Sequence, residues 1–145
     1  VENKMIKILK AKVSDSQKIR ELERKIWNEE VVNEYDAPMF VRFGYVYVAK
    51  DNNKIIGALI SYVTNENEIY VCDWVVDNKY RGKKIGQKLY ERLLKDTNKS
   101  IVSFIDPTNN ASINGHKKFG FRVVKKIKNA YDLNEGYRIF MRLER

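Results

Sequence analysis

A mixed α/β fold is predicted by three observations. Several short runs alternate apolar and polar residues with period two, amphipathic stretches of helical period lie between them, and a polar, glycine-bearing segment at residues 77–83 switches from one pattern to the other. The 145 residues suffice for one domain with a real core and are too few for two ordinary ones, so residues 1–145 are expected to form a single domain. Hydrophobic residues at 43% and aromatics at 12%, with both charge signs interspersed, exclude a disordered tail.

The elements follow in order. Residues 5–12 alternate apolar and basic, as in Ile6 and Ile8 against Lys7 and Lys10, and predict a half-buried strand. Ser14 offers an N-cap for an amphipathic helix through Asn28, carried by Ile19, Leu22, Ile26 and Trp27. Residues 31–43, interrupted by Pro38, predict a short second helix. Three strands at 45–50, 55–63 and 68–76, joined by turns at 51–54 and 65–67, predict an antiparallel meander. Beyond the polar turn, Leu89, Leu93 and Leu94 share one face of a helix at 85–95. A strand at 100–105, a short helix at 109–118 and strands at 121–127 and 137–143 complete the chain.

Composition narrows the function classes. The longest apolar runs, such as residues 55–60, fall far short of the roughly 20 residues of a membrane span, so no membrane partner is expected. The opening Val1-Glu2-Asn3-Lys4 carries no apolar leader core, and Cys72 is the single cysteine, which together predict a cytoplasmic protein. One histidine and one cysteine make no credible metal site. The excess of 28 basic over 19 acidic residues gives a net charge of +9 and favours an anionic partner: a cofactor's phosphates, nucleic acid or a membrane surface.

The window Val75-Val76-Asp77-Asn78-Lys79-Tyr80-Arg81-Gly82-Lys83-Lys84-Ile85-Gly86 lies between a predicted strand and a predicted helix. The first N–H groups of a helix lack intrahelical partners and sit at the positive end of its dipole, so a turn of small residues lets the backbone approach a pyrophosphate. Gly82 and Gly86 offer that approach, and Arg81, Lys83 and Lys84 add cations suited to several phosphates. Taken alone, the same pattern is equally compatible with an ordinary basic connection between strand and helix. A basic nucleic-acid-binding module is the alternative from another class, but the sharpest basic cluster sits on a glycine turn that opens a helix, which suits a small phosphate-bearing molecule.

This window resembles the acetyl-CoA signature of the GCN5-related N-acetyltransferases, which runs Arg or Gln, two residues, Gly, one residue, then Gly or Ala. Arg81 and Gly86 match its ends, and Lys84 stands where its first glycine would be. A second stretch, from Asn109 through His116 to Gly120-Phe121, resembles the family's Asn-containing helix that ends in Gly-Phe. The resemblance extends over residues 5–143 and implies a mainly antiparallel sheet flanked by helices, with a splayed pair of parallel strands, the fourth and fifth, at the cofactor site. It implies an acetyl-CoA-dependent N-acetyltransferase in which an amine attacks the thioester directly, in a ternary complex. Val76, Arg81, Gly82, Lys83, Lys84, Ile85, Gly86 and Asn109 would then hold acetyl-CoA, Asn109 through the pantetheine arm. His116 stands where many members carry a tyrosine that protonates the leaving thiolate. Asp73 aligns with an aspartate of the polyamine and diamine acetyltransferases and is the candidate for taking the ammonium proton, although Cys72 replaces the glutamate that usually precedes it. The acceptor is left open among polyamines, other small amines and protein amines. The resemblance also admits a non-catalytic acetyl-CoA sensor and a homodimer.

Overall fold

The computed structural model of the chain describes residues 6–145. Residues 1–4, on which the expectation of no leader rests, and Met5, where the first strand was expected to begin, lie outside them. The elements are β1 (Ile6–Lys10), α1 (Ser16–Trp27), α2 (Asp36–Phe43), β2 (Tyr45–Asp51), β3 (Lys54–Val63), β4 (Ile69–Val76), α3 (Ile85–Asp96), β5 (Ile101–Ile105), α4 (Asn110–Lys118), β6 (Arg122–Lys128) and β7 (Tyr137–Leu143). The strands follow the order β1-β2-β3-β4-β5-β7-β6 in one sheet. All described pairings are antiparallel except that of β4 with β5, which is parallel. This is the mixed α/β sheet that the patterning predicts. No helix among the described residues is long and apolar enough to cross a membrane.

The start of α1 differs from expectation. The carboxylate of Asp15 accepts the N–H of Lys12 at 2.8 Å, and Ser16 Oγ donates to the carbonyl of Val13 at 2.7 Å. These bonds close a tight 3-10 turn over Val13–Asp15, so Ser14 does not cap the helix and α1 begins at Ser16. The helix ends at Asn28, whose left-handed conformation (φ 58°, ψ 25°) lets its N–H close on the carbonyl of Arg24.

The chain divides into two compact units. One comprises the chain up to Tyr62 together with Val71–Thr97, the other Val63–Tyr70 with Asn98–Arg145. In the first, the apolar stripe of α1 (Ile19, Leu22, Ile26) and Ala37 and Val41 of α2 cover Val46, Val48, Ala58, Ile60 and Val75 of the strands. Leu89 and Leu93 of α3 are fully buried, and a side chain at Gly57 would meet Ile85 and Leu89, so α3 lies directly on β3. In the second, Ile69 and Tyr70 at the start of β4 pair with Ile101 and Val102 of β5. Phe104 packs edge-on against Tyr70 and at 4.9 Å against Phe140.

Ile19 is 2% exposed at the centre of the α1 stripe. Ile19→Ala is therefore expected to lower the unfolding free energy by about 2–5 kcal/mol, measured by denaturant unfolding.

Candidate functional site

The first unit holds the strand, turn and helix that the sequence singled out. β4 ends at Val76, and Asp77 continues the ladder by donating its N–H to the carbonyl of Ile56 at 2.8 Å. The Asp77 carboxylate is 1% exposed. Burial alone would raise its pKa, but bonds from Lys25 Nζ at 2.7 Å and from the Lys79 N–H at 3.0 Å hold it below the ordinary range. Tyr80 donates its hydroxyl to Asp51 at 2.5 Å. The turn is thus tied to α1 and to the end of β2 before it reaches Arg81.

The basic segment then changes hand twice. Gly82 has φ +79°, with open space where a Cβ would stand, and Lys84 has φ 61° and ψ 23°. The residue in the glycine position of the signature therefore adopts the backbone a glycine would. For a side-chain-bearing residue that conformation costs about 1–2 kcal/mol. A left-handed Lys84 followed by right-handed Ile85 turns successive N–H groups towards one point, the concave arrangement that binds anions. No side chain of Lys84 caps α3, and the N–H groups of its first turn stand at the positive end of the dipole. Arg81 and Lys84 are exposed and Lys83 half-buried on the same turn. Arg81, Gly82, Lys83 and Lys84 thus lie on one connection that runs into Ile85 and Gly86 of α3, and Val76 ends the strand before it.

Gly86 also makes a contact that its spacing does not show. A Cβ there would stand 3.3 Å from the Trp74 indole, whose Nε1 donates to the Gly86 carbonyl at 3.0 Å. Trp74 also packs edge-on against Tyr90, at 4.8 Å and 87°. The small residue at 86 admits a tryptophan that ties β4 to the first turn of α3.

Asp73, the neighbour of Trp74, is 6% exposed and belongs to a cluster that sequence reading missed. Its Oδ1 accepts the Trp27 indole N–H at 3.1 Å and the Trp74 N–H at 3.0 Å. Its pKa is raised by burial, against the pull of bonds with Glu23 and Trp27. Glu23 is fully buried, and burial, then its bond with Asp73 and the charge of Asp73, push it up to about 9. The signal for Glu23 was its place four residues after Ile19 and three before Ile26, on the apolar stripe of α1. Cys72 is pushed up to about 12 by burial and these two carboxyls, so its thiol stays protonated.

Asn109 and His116 belong to the second unit, on α4. The Asn109 side chain caps the helix by accepting the Ser112 N–H at 3.1 Å. His116 is 2% exposed, with its ring edge-on to Phe121 at 4.8 Å. Its Nδ1 lies 2.7 Å from the Ser112 carbonyl, an acceptor, so Nδ1 carries the proton and Nε2 carries none in the neutral ring. Burial pushes its pKa down to about 4, so the ring is uncharged at neutral pH. Among the described residues, no three His, Cys, Asp or Glu side chains gather as a metal site would require.

Comparison with known proteins gives the same picture. The model of the acetyltransferase (GNAT) family matches residues 14–121. Naa50 of Arabidopsis thaliana, solved in complex with the bisubstrate analogue CoA-Ac-MVNAL, is similar over 97% of this chain and 99% of its own, at 19% identity and a TM-score of 0.81. The ribosomal-protein-S18-alanine N-acetyltransferase of Escherichia coli is similar over 96% of this chain and 93% of its own, at 20% identity and a TM-score of 0.81. The structure of yncA from Salmonella typhimurium with its cofactor acetyl-CoA covers 96% and 93%, at 20% identity and a TM-score of 0.76. At these identities the likeness establishes a shared fold.

Two outcomes are expected of the isolated protein. Lys84→Gly is expected to raise stability by about 0.5 kcal/mol in denaturant unfolding, as relief of the left-handed backbone (about 1–2 kcal/mol) outweighs glycine's entropic cost (about 0.5–1 kcal/mol). His116, with its pKa lowered, contributes stability that is complete above the ordinary histidine value of about 6.5 and is lost as pH falls towards about 4. Thermal unfolding across that window should show the loss in the wild type and a smaller one in His116→Gln.

Proposed function

The chain belongs to the acetyltransferase (GNAT) family, and from that premise we propose that it transfers an acetyl group from acetyl-CoA to an amine. The observation that carries the reading is the left-handed Lys84 at the head of α3, which turns backbone N–H groups outward among Arg81, Lys83 and Lys84. A pyrophosphate fits this donor set: several amides, a helix dipole and three cations, with no carboxylate on the turn from Asn78 to Gly86.

In this reading the amides of residues 82–86 hold the pyrophosphate, Arg81, Lys83 and Lys84 neutralise its charge, and Val76 lies beside the arm that leads to the thioester. Acetyl-CoA supplies an acetyl group already activated as a thioester. The acceptor reacts as its free amine, because an ammonium has no lone pair. Asn109 serves by capping α4, and its contact with the pantetheine arm is a further part of the proposal. His116, with its proton on Nδ1 and its ring buried, packs α4 and does not supply the leaving thiolate's proton in this reading. Asp73 serves by position and does not take the ammonium proton itself.

The acceptor panel that follows from the reading has two arms. Polyamines are included because Asp73 aligns with an aspartate of the polyamine and diamine acetyltransferases, and Ser112-Ile113-Asn114 resembles the same subgroup. Peptides with a free α-amine enter because the Escherichia coli neighbour is named for acetylating a ribosomal-protein alanine and the Arabidopsis neighbour was solved with an analogue joining CoA to MVNAL. That residues 1–145 act as one acetyltransferase domain belongs to the same proposal, supported by a family match that runs through residues of both units. So do a cytoplasmic location, suggested by the lone cysteine, and a homodimer, which sedimentation of the purified chain would reveal.

Calorimetric titration with acetyl-CoA tests the reading. The wild type is expected to bind, Arg81→Ala to bind about 3–10-fold more weakly through loss of one charge-assisted contact, and Gly86→Glu, which drives a carboxylate into the Trp74 contact at the anion site, to lose binding. No binding by the folded wild type would refute it.

A further inference from the structure

The first unit buries two carboxyls side by side, and the family resemblance speaks only to Asp73. Glu23 on α1 is 0% exposed and Asp73 on β4 is 6% exposed. One oxygen of each, Glu23 Oε2 and Asp73 Oδ2, is shielded from water and receives no hydrogen bond from another side chain or backbone N–H. The two carboxyls lie within hydrogen-bonding reach of each other. Neither forms an ion pair with a lysine or arginine among the described residues.

Two ionised carboxylates in contact and out of water repel each other and forfeit their hydration. One proton between Oε2 and Oδ2 removes both difficulties: it satisfies the two orphan oxygens at once and leaves a single negative charge. The surrounding donors say where that charge rests. Asp73 Oδ1 receives the Trp27 indole N–H at 3.1 Å and the Trp74 backbone N–H at 3.0 Å, whereas the Val32 N–H reaches Glu23 Oε1 at a longer 3.4 Å, so the shorter bonds to a carboxylate are those of Asp73. Glu23 is therefore the acid and Asp73 the carboxylate.

The bond has a mechanical consequence. Asp73 holds the backbone of Trp74, and the Trp74 indole holds the carbonyl of Gly86 in the first turn of α3. We propose that Glu23 is a positioning residue for the acetyl-CoA end of α3: it keeps one proton, shares it with Asp73, and so fixes the part of β4 on which Gly86 rests. The role rests on the functional reading above; the shared proton does not.

Loss of that proton would set two charges side by side and part α1 from β4. The other groups facing the pair stay uncharged or remote. The Cys72 thiol is held up at about 12, Tyr62 on β3 is raised by burial and by Cys72, and Lys25, also on α1, is engaged with Asp77. The segment after α1 contributes the backbone N–H groups of Val31 and Val32. The sign of the pH dependence follows. Glu23 is protonated in the folded chain up to about 9 and ionised in the unfolded chain above its ordinary 4.5, so its contribution to stability falls steadily as pH rises between the two.

Glu23→Gln separates this role from simple core packing, because a glutamine amide donates to Asp73 as the acid does but cannot ionise. Both proteins are to be unfolded by denaturant, and titrated with acetyl-CoA, between pH about 6 and about 10. The variant is expected to fold, to lose most of the alkaline decline in stability, and to keep its acetyl-CoA affinity at the upper pH. Wild-type affinity is expected to weaken there by roughly threefold or more. Glu23→Ala, which strips Asp73 of its partner, should bind acetyl-CoA more weakly than Glu23→Gln even at neutral pH. A carboxylic acid band in the infrared spectrum of the wild type near neutral pH, absent from Glu23→Gln, would report the proton directly. Identical pH slopes in wild type and Glu23→Gln would overturn the shared proton. A wild-type affinity unchanged at alkaline pH would overturn the positioning role. Failure of the wild type to bind acetyl-CoA at any pH would refute the functional reading and the positioning role with it, while different unfolding slopes would still support the shared proton.

Discussion

The contact between Trp74 and Gly86 is the constraint on which the site depends. The Trp74 indole lies 3.3 Å from where a Cβ at position 86 would stand, donates to that residue's carbonyl and packs edge-on against the buried Tyr90. The first turn of α3 is thereby fixed against β4 by a hydrogen bond and by excluded volume together. A helix whose first turn frays presents no ordered set of N–H groups, so a pre-organised anion site needs such an anchor. On the other side of β4, Asp73 and Glu23 tie the strand to α1. The first turn of α3, where the anion site is proposed, is thus held through one strand by two groups of buried contacts.

The backbone of the turn shows how a signature can be kept in geometry while it changes in composition. A lysine at position 84 looks like a departure from a glycine pattern, yet it adopts a left-handed conformation that glycine enters readily. The strain is of order 1–2 kcal/mol, which the ties at Asp77, Tyr80 and Trp74 can sustain. In exchange the turn acquires a further cation at the place where phosphates are expected. Lysine at this position thus gives up backbone ease and adds a charge.

Much of the fold was legible because it rests on period. The apolar runs at 45–50 and 55–63, set off by polar turns, and the leucine face of α3 led to strands and helix within a residue or two of those observed. The start of α1 was misread because two candidate caps compete within three residues: a serine at 14 suggests a cap, but the Asp15 carboxylate takes the Lys12 N–H first. In the site, the spacing of Arg81, Gly82 and Gly86 was visible, whereas the partner of Gly86 was not, since contact with Trp74 joins residues twelve positions apart across a strand and a turn. Glu23 shows the same limit. Its place on an apolar stripe marks it as buried, but pairing with Asp73 fifty positions away depends on tertiary packing that local patterns do not encode.

The most direct test of the account is a crystal structure of the chain with CoA bound. The account predicts the pyrophosphate at the head of α3, accepting hydrogen bonds from backbone N–H groups between Gly82 and Gly86, with Lys84 still left-handed and Trp74 still seated on Gly86. CoA bound elsewhere, or a pyrophosphate held by side chains alone with that turn rearranged, would contradict it.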